Sequence, residues 1–151
     1  MPTTYRHGNI LDSEARIIAH GVNAHGTPHT ALARQLFHAY PEAEEDYVRT
    51  CVTQMPNVGS VIFTILGDGR YLAQLVVQVD EMETTSAKGL QQAVEATYEA
   101  AEDEDAPTVA FPLIGTGVGG LGVGAALRVI EEAAGQHPNI HTEVWTKETS
   151  D

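Results

Sequence analysis

Lysine is almost missing from this sequence. Lys88 and Lys147 are the only two in 151 residues, and the eight Lys and Arg face 21 Asp and Glu, a net charge of −13. A chain this acidic repels a phosphate backbone, which argues against sequence-independent nucleic-acid binding. Any anionic ligand must be held mostly by backbone N–H groups and a few hydroxyls, amides or arginines. Cysteine is reduced to Cys51, so no intramolecular disulfide can form, and a reducing compartment fits. No apolar run approaches the roughly 18 residues of a membrane span. The opening MPTTYRHGN lacks the apolar centre of a secretion signal. These absences are those expected of a cytoplasmic protein. Repeats, linkers and low-complexity tracts are missing too, so 1–151 reads as one domain. The acidic runs at 42–46, 80–83 and 99–105 read as solvated helix faces and loop ends. The alanine-rich, lysine-poor composition points to a high-GC bacterial source.

What is present has a clear order. Residues 4–7 form a short strand ended by Gly8-Asn9, and 16–22 form a second strand, followed by the loop NAHGTPH. Thr30 is placed to cap a helix whose apolar positions are Leu32, Leu36, Phe37 and Tyr40. Pro41 ends it and serves as first residue of a helix over 42–54, in which Cys51 is a small core residue. Two β-rich runs, 59–66 and 70–79, flank the hairpin signal Gly67-Asp68-Gly69. Ser86 caps a helix through Ala101. Residues 108–113 are almost wholly apolar, as in a strand buried on both faces. A helix over 124–134 and a strand over 141–145 complete the chain. The order ββααββαβαβ predicts an α/β fold with a mixed sheet covered by helices on both faces.

The most informative stretch runs from Ile114 to Gly122, with five glycines in the eight positions 115–122, between a buried strand and a helix. Glycines let a backbone approach a ligand and turn successive N–H groups toward one point. The next helix adds its positive end, and together they make a phosphate cradle that needs no lysine. Gly115, Gly117 and Gly120 satisfy G-x-G-x-x-G, and Glu143 lies at a dinucleotide-type distance. Only one helix and one strand follow, however, too little for the rest of a nucleotide-binding half. The G-K-[ST] ending of a P-loop is absent.

At four places the sequence resembles the macrodomain family, whose members bind ADP-ribose. These are Gly8-Asn9-Ile10-Leu11, the strand and exit from Ile17 to Gly26, the strand from Gly69 to Gln78, and Phe111-Pro112-Leu113-Ile114-Gly115-Thr116-Gly117. They occur in the family's order and span nearly the whole chain. The short form is similar to the branch containing terminal ADP-ribose glycohydrolases and antitoxin macrodomains acting on ADP-ribosylated DNA. The resemblance implies a three-layer α/β/α fold around a central mixed sheet. It implies that Asn9 and Ile10 meet the adenine, with Asn9 where the family usually has Asp, so its oxygen accepts without charge assistance. It places Thr30 and Ala31 in the first ligand loop. Gly115, Thr116, Gly117, Val118, Gly119 and Gly120 would wrap the diphosphate and distal ribose. Trp145 matches an aromatic near the nucleotide, or is a core anchor.

The departures carry equal weight. The family's M-G-x-G-x-A loop reads Pro28-His29-Thr30-Ala31-Leu32-Ala33 here, with both glycines replaced. The lysine and aspartate of a covalent glycohydrolase mechanism match Gln78 and Gly119, which can form no Schiff base and act as no general acid. Hydrolysis at the anomeric carbon would instead fall to Asn23, orienting ribose or water, and to His29, exchanging protons, with Thr116 beside them. His25 and His29 lack a suitably spaced third ligand, so no metal and no cofactor are expected. Three readings stand. The first is a hydrolase that removes ADP-ribose from modified protein, or from DNA. The second is a non-catalytic ADP-ribose reader. The third is an interaction protein with a blocked pocket. Partners are ADP-ribose or ADP-ribosylated protein, and no membrane.

Overall fold

Strand-forming and helix-forming stretches alternate to build a sheet with helices on both faces. The computed structural model describes residues 3–28, 30–80, 83–116 and 120–146. Its elements are β1 (Thr3–His7), β2 (Ile17–Asn23), α1 (Ala31–Ala39), α2 (Pro41–Gln54), β3 (Val61–Ile65), β4 (Tyr71–Gln78), α3 (Ala87–Asp103), β5 (Thr108–Pro112), α4 (Val123–Gln136) and β6 (His141–Thr146). A single helical turn, Ile10–Asp12, links the first two strands. The sheet order is β1-β6-β5-β2-β4-β3. All pairings are parallel except β3 with β4, the hairpin that Gly67-Asp68-Gly69 closes. The mixed sheet and its three layers are those read from the element order.

Burial explains the pattern of each strand. The central strands β2 and β4 are buried almost from end to end, because helices cover both of their faces. Ile17 and Ala19 face a cluster with Leu90, Val94 and Tyr98 of α3 and Ile130 of α4. Ile18 and Val22 face the other side, against Leu36 and Phe37 of α1 and Tyr47 and Cys51 of α2. Each such side chain contributes about 1.5–3 kcal/mol on burial, so these two clusters dominate stability. Local signals set the helix ends. Thr30 Oγ1 accepts from Ala33 N–H at 3.0 Å and Ser86 Oγ from Gly89 N–H at 2.9 Å. Pro41 sits in the first turn of α2, where its missing N–H costs nothing.

The topology also chooses where a ligand can sit. From β2 the chain passes through α1 and α2 to the β3–β4 hairpin on one side. It then returns through α3 to β5 on the other side of β2. The connections diverge at the carboxyl end of β2, the switch point where open α/β sheets leave a crevice.

Candidate functional site

That crevice is occupied by a narrow cleft of about 130 Å³. Its floor is His20 and Gly21 of β2 with Val77 and Gln78 of β4, one wall is 112–116, and the other is Thr30 and Leu32 at the start of α1. Ligand pockets for drug-sized molecules are roughly 300–1,000 Å³. The volume bounded by the described residues is thus smaller than such a pocket.

The 112–116 wall needs glycine at two close approaches. Gly115 has φ +83°, and a Cβ there would stand 2.5 Å from Thr85 Cγ2. Gly21 has an ordinary backbone, but a Cβ on it would stand 2.6 Å from Ile114 Cγ2. The turn is fixed by Leu121 N–H donating to Gly115 O at 2.8 Å and by Thr116 Oγ1 donating to Leu113 O at 2.7 Å. Gly120 is near but does not line the cleft. Gly117, Val118, Gly119 and His29, all named from sequence, lie outside the described residues.

Asn23 is 0% exposed. Its Oδ1 accepts from His25 N–H at 3.0 Å, Thr27 N–H at 3.3 Å and Tyr47 Oη–H at 3.0 Å, and its Nδ2 donates to Thr27 O at 2.7 Å. An amide so committed ties the 23–27 loop into a turn and fastens it to α2. Gln78 is similarly engaged, donating to Glu83 O from the floor of the cleft.

Asn9, Ile10 and Trp145 stand apart from the cleft, and so does Ala31, whose neighbours Thr30 and Leu32 line it. Asn9 Oδ1 accepts from Leu11 N–H at 3.0 Å as cap of the short turn, which leaves one lone pair. Ile10 is 3% exposed and Trp145 is 5% exposed. Trp145 Nε1 donates to Glu143 Oε1 at 2.8 Å, and the Arg6 guanidinium lies 4.9 Å from the ring centroid. Trp145 thus packs into the core cluster on the α1 and α2 side of the sheet. Cys51 is buried against Asn23 O, and burial pushes its thiol pKa up, away from nucleophile character. No group of three or more His, Cys, Asp or Glu is placed to hold a metal among the described residues.

The residue that sequence reasoning missed is His20. It is 1% exposed, packs edge-on against Phe37 at 5.6 Å, and lines the cleft. Its Nε2 meets Gln74 Oε1 at 3.1 Å. Gln74 Nε2 donates to Ala43 O and Thr64 Oγ1, both at 3.2 Å, and Thr64 Oγ1 donates to Asp46 Oδ2 at 2.6 Å. Burial holds the imidazole pKa down at about 4, against a smaller opposing effect of Gln74, so the ring is neutral near pH 7. Its Nδ1 and Thr85 Oγ1 are the two buried side-chain polar atoms without a hydrogen-bond partner among the described residues. His20 lines this cleft, and the Thr85 side chain lies against Gly115 of its wall.

A family model described as Macro domain matches residues 19–130. A curated relative, the ADP-ribose 1''-phosphate phosphatase of Saccharomyces cerevisiae, is 48% identical over 50 residues, 32% of this chain. The match spans only 28% of that protein's length. Among solved structures, the macrodomain of Mycobacterium tuberculosis DarG superposes with a TM-score of 0.90 at 20% identity, over 95% of this chain and 97% of that one. The macrodomain of Thermus aquaticus DarG gives 0.86 at 20% identity, over 98% and 99%. Thermosipho africanus DarTG in complex with ADP-ribose gives 0.84 at 15% identity, over 95% of this chain and 41% of that one. At these identities the superpositions show a shared fold.

Proposed function

The chain belongs to the macrodomain family, and from that premise we propose that it binds ADP-ribose in the cleft at the carboxyl end of β2 and hydrolyses an ADP-ribosyl linkage on modified protein. One observation carries the reading. The sheet's switch point holds a cleft whose wall is a glycine turn, with Gly115 at positive φ pressed against Thr85. A turn of that kind presents N–H groups to a diphosphate, which suits a chain with two lysines. The similarity to a DarTG solved with ADP-ribose supports the same ligand.

Hydrolysis adds water at the anomeric carbon and releases free ADP-ribose and the acceptor side chain. The diphosphate is held by the turn from Gly115 onward. Asn23 and Tyr47 fix the 23–27 loop that leads to α1. His29, the residue before Thr30 in sequence, supplies proton exchange. The net charge of −13 removes steering toward DNA, so modified protein is the preferred substrate over ADP-ribosylated DNA.

A specific observation favours the reader as the second reading. The described lining contains no Lys, Asp or Glu, so nothing in it can form a Schiff base or act as a carboxylate acid. The test is release of ADP-ribose from a protein mono-ADP-ribosylated on acidic residues, with excess enzyme, alongside calorimetric binding of free ADP-ribose. Release identifies a hydrolase. Binding without release identifies a reader. Neither would overturn both readings and leave a blocked pocket.

A further inference from the structure

We infer that His20 Nδ1 is a fixed hydrogen-bond acceptor for a hydroxyl of the bound ribose, and that it makes the cleft select a hydroxyl over a phosphoryl group at that point. The inference rests on the ADP-ribose reading for its ligand, but its geometry stands alone.

The tautomer follows from a chain of hydrogen bonds with one direction. The Ala43 carbonyl can only accept, so Gln74 must point its NH₂ there, at 3.2 Å. The Gln74 carbonyl oxygen therefore faces His20 Nε2, which must carry the hydrogen. Thr64 strengthens the order, accepting from Gln74 and giving its own hydrogen to the Asp46 carboxylate. Asp46 is held in turn by Arg49 Nη2 at 3.0 Å. Reversing the ring would set two lone pairs against each other inside the protein, where no water relieves them. With Nε2 protonated and the ring neutral, Nδ1 is a bare lone pair.

The placement follows from topology. His20 and Gln74 are register partners on the two adjacent strands whose ends floor the cleft. Nδ1 has no partner among the described residues, and His20 lines the cleft beside Thr30 and Leu32, so we assign its partner to a ligand group that enters there and displaces the contacts now covering the ring. A ribose hydroxyl donates and satisfies it. A phosphate monoester is mainly a dianion at pH 7, and its ionised oxygens only accept, so they face Nδ1 lone pair to lone pair. Protonation would reverse this preference, and burial postpones protonation to about pH 4.

Two experiments test the inference. The first follows the His20 imidazole nitrogens by NMR in the wild-type chain near pH 7 while D-ribose, or separately inorganic sulfate, which carries no proton at that pH, is added. The expected result is a protonated Nε2 and a bare Nδ1, with ribose and not sulfate moving the Nδ1 signal. A protonated Nδ1, a response to sulfate, or no response to ribose (a resident water only) would overturn it. The second compares calorimetric affinities for ADP-ribose and ADP-ribose 1''-phosphate. The wild type should prefer ADP-ribose. His20→Leu should weaken ADP-ribose roughly two- to tenfold, the range of one neutral hydrogen bond, and bind the phosphate ester at least as tightly as the wild type does. Gln74→Leu, which frees the tautomer, should narrow the preference. Equal loss for both ligands in His20→Leu would mean a merely structural role and sink the inference. If the wild type binds neither nucleotide, the proposed function falls, and the ribose titration alone decides on His20.

Discussion

Protonating His20 should cost the fold a measurable share of its stability. The unfolded imidazole titrates near 6.5 and the buried one at about 4. Between those values the unfolded chain binds a proton that the folded chain refuses, so stability falls as pH drops through this window and is complete again above it. Each pKa unit is worth about 1.4 kcal/mol, so the whole displacement amounts to roughly 3 kcal/mol. For a domain of this size that is about 6–12 °C in melting temperature. Carboxylates titrate in the same range, so the informative quantity is a difference. Urea denaturation midpoints of the wild type and His20→Gln should be measured from pH 7 to pH 4. The glutamine can still donate to Gln74 but does not titrate. The variant should be less stable at pH 7, and the gap should shrink by roughly 3 kcal/mol toward pH 4. A gap constant across the range would refute the argument that burial keeps this ring neutral.

His137 should act with the opposite sign. Burial lowers its pKa, but the hydrogen bonds it donates to the Glu95 and Glu102 carboxylates outweigh this and raise it, so its contribution is full below about 6.5 and lost as pH rises through the raised value. His137→Gln should flatten that alkaline loss in thermal melts. Gly115→Ala should cost about 1–3 kcal/mol from its positive φ, and more from the contact with Thr85, and should abolish ADP-ribose binding in calorimetry. Tyr47→Phe removes the hydroxyl that donates to Asn23 O at 2.7 Å. It should cost about 1–3 kcal/mol in urea melts and weaken ligand binding, because the loop leading to α1 loses its anchor.

The parts of this molecule written locally were legible from sequence. Thr30 and Ser86 declare helix starts because a cap bonds to a residue three positions on. Gly115 declares itself because its positive φ and the Thr85 side chain against it exclude a Cβ. The His20 relay has no such signature. It joins side chains on neighbouring strands 54 residues apart, and nothing near His20 in sequence distinguishes it from a packed core histidine. The part Asn23 plays in the turn is hidden for a related reason. Its side chain is engaged by turn N–H groups and by Tyr47 on a helix 24 residues away, and sequence does not show those bonds. The roles open to Trp145 differed only in burial, which is a tertiary property. Gly21 gave a clue that went unread, since glycine inside a strand often marks a close approach of another backbone segment.

The central position of β2 also governs when the cleft can come into being. Its floor needs β4, and its far wall needs the segment after β5, whose start meets Arg16 across 92 residues of chain. Contacts over such separations form late and slowly, because the loop entropy must be overcome before they stabilise anything. During synthesis the α1–α2 pair and the β3–β4 hairpin can collapse early on local contacts. A nascent chain that has not yet docked β5 onto β2 has a partial core and no cleft. Ligand added to a refolding chain therefore stabilises the end point without accelerating the search for it.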